Sequence, residues 1–263
     1  MRRIRPIRHD DRLSVVDHLD ELRSRLIFCA LAFIVAWAFT GWQNHLVLEI
    51  MNAPLPTDHA GHQIKPITLG PAEGFSTTLM NAAYFALIIA APVILYQLYA
   101  FLLPAFSPSE RRVATPLLLL VPVLFITGVV FCYFVVLTPA LDFLLNFNAD
   151  EFNTQVRARD YYSFITLLLL AMGIGFQIPV GVLAACKLGI TNAEKLRRSR
   201  RYAIVTVVVL ASLLPTLDPI TLMLESIPLY ALFELSILMA AAWGRPIADP
   251  GELSDQPAAE GSS

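Results

Sequence analysis

Two acidic positions stand beside residues that can receive a guanidinium. Glu110 closes an aromatic, proline-rich run, Tyr96-Gln97-Leu98-Tyr99-Ala100-Phe101-Leu102-Leu103-Pro104-Ala105-Phe106-Ser107-Pro108-Ser109-Glu110-Arg111-Arg112. An acid next to aromatic faces can hold an arginine by charge-assisted bidentate hydrogen bonds plus stacking. The plainer reading is a helix start, with Ser107 or Ser109 as cap and Glu110 in the first turn. The second acidic stretch is His18-Leu19-Asp20-Glu21-Leu22-Arg23-Ser24-Arg25-Leu26. Leu19, Leu22 and Leu26 fall at helical spacing, so this is an amphipathic helix running into an apolar run. Its carboxylates also fit a solvated helix start, Asp17 and Asp20 favouring the N-terminal turn.

Other polar groups lie inside or beside apolar runs. Glu234 is deep in the last run, ten residues before Gly244. An acid at that depth faces protein or water, as a protonated buried carboxyl or bonded to a neighbouring helix. Glu225 and Asp218 lie nearer the run's start, where solvation is expected. Gln177, within Phe176-Gln177-Ile178-Pro179, either bonds inside the bundle or receives a polar group from a partner helix. Cys29, Cys132 and Cys186 all sit in apolar runs and read as small hydrophobes. The sequence shows no metal-ligand spacing, no HExxH or GxSxG, and no P-loop, so no metal, cofactor or catalytic set is expected.

The elements that position these groups follow from composition. Of 263 residues 56% are hydrophobic and 15% charged, too little charge to cover a soluble surface. Six apolar runs are predicted as helical spans: 26–42, 77–103, 113–137, 161–186, 202–214 and 220–243. Residues 43–76 read as an ordered loop between the first two, 1–25 as an N-terminal segment with the amphipathic helix, and 244–263 as a disordered tail. The fold class is all-α, a polytopic membrane protein with a short fifth span; the sixth stays open as a second short one. A span needs about 20 apolar residues, so the fifth must be buried among helices or sit in thinned bilayer. Pro92, Pro116, Pro122, Pro179 and Pro228 predict bends.

Basic residues set the orientation. All but three of the 19 lysines and arginines fall in the N-terminal segment, the second-to-third and fourth-to-fifth loops, and the tail. Only Lys65, Arg157 and Arg159 lie on the other side. This asymmetry predicts both termini in the cytoplasm. The N-terminus does not read as a cleaved signal, because its apolar run is too long and no small-residue cleavage site follows. A solute or ion transporter is the alternative class; it would call for paired intramembrane charges and inverted repeats, and neither is seen.

Four stretches resemble one family. HLDELRSRL from His18, APL at Ala53 to Leu55, APVILYQLYAFLLPAF with SERR, and FQIPV at Phe176 to Val180 resemble the TatC subunit of the twin-arginine protein translocase, from about His18 to Trp243. The resemblance implies a bacterial inner-membrane receptor and scaffold, not an enzyme. Such a receptor binds signal peptides with two adjacent arginines and, with single-span TatA/TatB-type partners, moves folded precursors using the proton-motive force. It implies that Glu21 and Glu110 meet the arginine pair and that Leu19, Arg23, Phe101 and Pro104 shape the patch. It places Pro54, Gln177, Ser212, Leu213, Asp218 and Glu234 among partner-binding or structural positions, and makes residues 43–76 a periplasmic cap over the outer face. Gln177 stands where the family often has glutamate, keeping hydrogen-bonding capacity without charge. Self-association is implied, and no nucleic acid.

Overall fold

The computed structural model describes residues 15–56, 64–102, 108–149, 151, 155–187, 189–212 and 218–243, with the side chains of 15–17, 108–117 and 187 left out. Pro104, Leu213, the first 14 residues and the tail from 244 lie outside the described residues.

Among the described residues ten α-helical segments follow in order: α1 (Val15–Trp42), α2 (Asn44–Asn52), α3 (Glu73–Leu102), α4 (Pro108–Phe131), α5 (Leu137–Asn146), α6 (Ala158–Gly175), α7 (Ile178–Lys187), α8 (Ala193–Arg198), α9 (Arg200–Ser212) and α10 (Pro219–Trp243). Among the described residues the extended pairing is a single parallel bridge between Ile67 and Arg157. Five stretches among the described residues are long and apolar enough to cross a membrane: His18–Trp42, Glu73–Leu102, Leu118–Asn146, Ala158–Cys186 and Pro219–Ala242. The last run is therefore not short. The fifth apolar run is: α9 has 13 residues, about 20 Å at the helical rise, against a hydrocarbon core of about 30 Å.

Prolines decide where the long stretches change geometry. α3 and α10 carry Pro92 and Pro228 without interruption. The third stretch runs past the expected 137 to Asn146, through a π-helical turn at Cys132–Val136. Pro139 has no N–H for the Val135 carbonyl, and the wider turn lets the Leu137 N–H bond to the Cys132 carbonyl instead. Before Pro179 the fourth stretch breaks at Phe176-Gln177, so one predicted span is the pair α6 and α7. Pro179 then falls in the first turn of α7, where its missing N–H costs nothing.

α1 packs on α3, α3 and α4 pack on α6, and α10 packs on α7 and α9. The main core surrounds α6, with Ile165, Leu168 and Met172 fully buried against Phe125 of α4 and against Cys132 and Val136 of the π-helical turn. Small residues let helices approach. A Cβ at Gly173 would stand 2.6 Å from the Phe125 ring, and one at Gly128 2.8 Å from the Met172 carbonyl oxygen. α1 meets α3 through Ala36, Ala86 and Ala90, and the Thr40 hydroxyl donates to the Ala82 carbonyl at 2.8 Å.

Three phenols hold α2. The Tyr133 hydroxyl donates to the Ile50 carbonyl and the Tyr161 hydroxyl to the Met51 carbonyl, each at 2.7 Å. Both acceptors belong to the last turn of α2, whose carbonyls lack helical partners. Tyr162 donates to the Asn52 side-chain oxygen at 3.1 Å. Farther along, Arg157 donates to Glu73 at 2.7 Å, and this bond raises the Arg157 pKa above its ordinary value.

Candidate functional site

α1 and α3 bring a carboxylate, an amide and two rings together at one end of the bundle. Residues 18, 21 and 25 share one face of α1, being three and four apart. On that face Arg25 donates from Nη2 and Nε to Glu21 Oε1, at 2.6 and 3.0 Å. Its Nη1 donates to Gln97 Oε1 of α3 at 2.8 Å. The His18 ring stacks on Phe101 with centroids 4.3 Å apart, and His18 Nδ1 lies 3.9 Å from Glu21 Oε2. The result is a carboxylate 29% exposed, flanked by a flat aromatic surface and occupied by a guanidinium of its own chain. Such a site recognises planar cations with several N–H donors.

The residues expected to form the patch do not all meet here. Glu21 and Phe101 do, through His18. Leu19 and Arg23 are exposed and lie two residues either side of Glu21, about 200° around the helix, on another face of α1. Glu110 is in the first turn of α4; its side chain, like all of Pro104, lies outside the described residues. Arg25, Gln97 and His18 were not singled out in the sequence. The Glu21–Arg25 spacing of four signals the first partnership, whereas Gln97 is 72 residues from Arg25 and only packing of α1 on α3 brings it close.

The remaining positions are spread through the bundle. Pro54 sits in the turn after α2, half-buried, beside the Leu55 N–H bond to the Asn52 carbonyl. Gln177 Nε2 donates to the Val121 carbonyl at 3.2 Å, a bond within the bundle. Its Oε1 is buried without a partner among the described residues. Ser212 donates back to Val209 in the last turn of α9. Asp218 Oδ1 accepts from the Thr221 N–H at 2.7 Å and so caps α10. Glu234 is bonded to a neighbouring helix: it accepts from Arg200 at the start of α9 at 2.8 Å and from Tyr230 at 2.7 Å. Glu225, expected to be solvated, is 1% exposed. It lies in the second turn of α10, which packs on α5, α7 and the π-helical turn, so closeness to the chain reversal does not bring it to water.

Known proteins match this arrangement along most of its length. A family model described as Sec-independent protein translocase protein (TatC) matches residues 17–228. The Sec-independent protein translocase protein TatC of Escherichia coli (strain K12) is 35% identical over 231 residues, covering 88% of this chain and 89% of that protein. The chloroplastic TATC protein of Pisum sativum is 30% identical over 239 residues, covering 89% and 64% of the two chains. The solved structure described as twin arginine translocase receptor TatC in DDM superposes with a TM-score of 0.74 at 35% identity, covering 85% of this chain and 99% of that one. The α1–α3 packing, the long apolar helices and the sequence match over residues 17–228 together place this chain in the TatC family of Sec-independent protein translocase components, non-enzymatic membrane subunits of protein transport.

Proposed function

We propose that this chain is the signal-recognising subunit of a twin-arginine translocase in a bacterial inner membrane, with both termini in the cytoplasm. Glu21 and Glu110 receive the two guanidinium groups of the signal. Phe101, Leu19, Arg23 and Pro104 border the peptide around them. The observation that carries this reading is the grip of Glu21 and Gln97 on the Arg25 guanidinium beside the His18–Phe101 stack. The pocket already binds the chemical group it would have to recognise. The solved relative is itself described as a twin arginine translocase receptor. The positive-inside asymmetry of lysine and arginine supports the orientation, placing the socket on the cytoplasmic side.

In this reading the bundle is a receptor and assembly scaffold. Folded precursors are the cargo, TatA/TatB-type single-span proteins and further copies of this chain are the partners, and the proton-motive force drives transport. Ser212, Leu213 and Asp218 border the short α9 where partner helices would gather, Pro54 steadies the cap, and Gln177 and Glu234 hold the bundle to which they dock. Each charged hydrogen bond to a signal arginine contributes about 1.5–3 kcal/mol, and lysine lacks the forked geometry. Glu21→Ala combined with Glu110→Ala should abolish crosslinking to a twin-arginine precursor, and the wild type should crosslink a twin-lysine version far less. Unchanged crosslinking in the double variant would overturn the assignment.

A further inference from the structure

We propose that the cavity between the first turns of α3 and α6 is a binding site for the head group of a zwitterionic phospholipid of the ethanolamine class. The cavity is about 120 Å³ and lies at the end of the bundle opposite Glu21. Its floor is Asn81, 1% exposed, with neither amide atom bonded among the described residues. Beside it the Thr77 hydroxyl is also buried and unbonded. Asn81 shares a face of α3 with Thr77 and Ile88, turned away from the alanines that meet α1 and toward α6. A buried amide that finds no partner in its own protein has donors and acceptors to offer a ligand that carries both.

The rim supplies one charge of each sign. Arg159 lines the cavity and makes no ion pair among the described residues. Asp160, next to it, is 72% exposed and touches a cation only at 3.9 Å, from Arg157. Arg157 is itself committed to Glu73 at 2.7 Å. A cation and an anion side by side complement a phosphodiester followed by an ammonium, the phosphate taking Arg159 and the ammonium taking Asp160.

Depth selects the source of this group. Asn81 is eight residues into α3, about 12 Å along its axis, while Arg159 and Asp160 are in the first turn of α6, so the cavity runs from head-group level at its rim to the edge of the hydrocarbon at its floor. Met80 lines the cavity, and it, Phe75 and Leu79 are exposed, leaving apolar surface for the acyl chains of the bound molecule. The site is separate from the signal socket and does not depend on that reading.

The test uses the full chain in detergent, stripped of lipid and titrated by native mass spectrometry with phosphatidylethanolamine, phosphatidylglycerol and phosphatidylcholine of identical acyl chains. The expected result is one tightly held ethanolamine lipid, bound at least fivefold better than the glycerol or choline lipid. Asn81→Leu and Arg159→Gln should weaken it at least tenfold, and Asp160→Asn should reduce it to the glycerol level. Circular dichroism checks that Asn81→Leu keeps its helix content; Arg159 and Asp160 are exposed, so their variants report even if that one misfolds. Equal retention of all three lipids, or variants that bind as the wild type does, would show a water-filled cavity and overturn the proposal. Displacement of the lipid by millimolar inorganic phosphate would show a free-anion site and overturn it too.

Discussion

Arg25 occupies Glu21: its Nη2 and Nε converge on one carboxylate oxygen, at 2.6 and 3.0 Å, while Nη1 holds Gln97 across the α1–α3 seam. An incoming guanidinium must take the place of this internal one. Both side chains are about a quarter exposed, so their pairing contributes only about 0.3–0.5 kcal/mol. Arg25→Gln should therefore strengthen binding of a twin-arginine signal peptide by about twofold, read by fluorescence titration of the purified chain. A tenfold loss would mean that Arg25 orients Glu21 instead of competing for it.

The contact between α4 and α6 leaves no room for a methyl group at Gly173. The Phe125 ring it would strike is 1% exposed and walled in by the core. Gly173→Ala should cost about 1–3 kcal/mol through overpacking, seen as a lower thermal midpoint in detergent. Gly41→Ala meets nothing within 4 Å and should be neutral or stabilising by up to about 1 kcal/mol through helix propensity.

Removing the Tyr161 hydroxyl orphans the Met51 carbonyl at the buried end of α2. Tyr161→Phe should cost about 1–3 kcal/mol. The loss should be local: hydrogen exchange across residues 44–52 should quicken while that of α6 stays slow. Uniform acceleration would contradict a role confined to the cap.

α9 is about 10 Å shorter than the hydrocarbon core it faces. If the proposed transport uses a bilayer thinned beside this helix, inserting four apolar residues after Val207 should impair it. The readout is export of a folded twin-arginine reporter from cells, and export at the wild-type rate would argue against that use of the short helix.

Much of the architecture was legible because its causes are local. Run length and hydropathy give the spanning stretches, and α9 is short in the sequence as it is in space. Proline positions mark where geometry changes but not how. Pro139 is absorbed by a π-helical turn and Pro179 by a break, because the outcome depends on which neighbours satisfy the freed carbonyls. The socket was half legible. The family resemblance points to Glu21 and Phe101, which stand close together through His18, and the Glu21–Arg25 pair is implicit in its spacing, but Gln97 enters only through packing. Glu225 was misread because nearness to a turn suggests water, whereas α10 packs on neighbouring helices and leaves Glu225 1% exposed. A bond from Glu234 to a neighbouring helix was one of two readings, but its partner could not be named because Arg200 stands 34 residues away and reaches it only when α9 folds back on α10.

α1 buries only 6% of its apolar window, whereas the α6–α7 stretch buries 50% of its own. The helix that carries Glu21 is attached chiefly along its seam with α3, through Ala36, Ala86 and Ala90, the Thr40 hydroxyl, the Arg25–Gln97 bond and the His18–Phe101 stack. Sliding or tilting it disturbs almost none of the interior around Ile165 and Met172. Whatever separates Glu21 from Gln97 acts on that seam and not on the core around α6, so the grip on Arg25 can loosen while the rest of the scaffold keeps its shape.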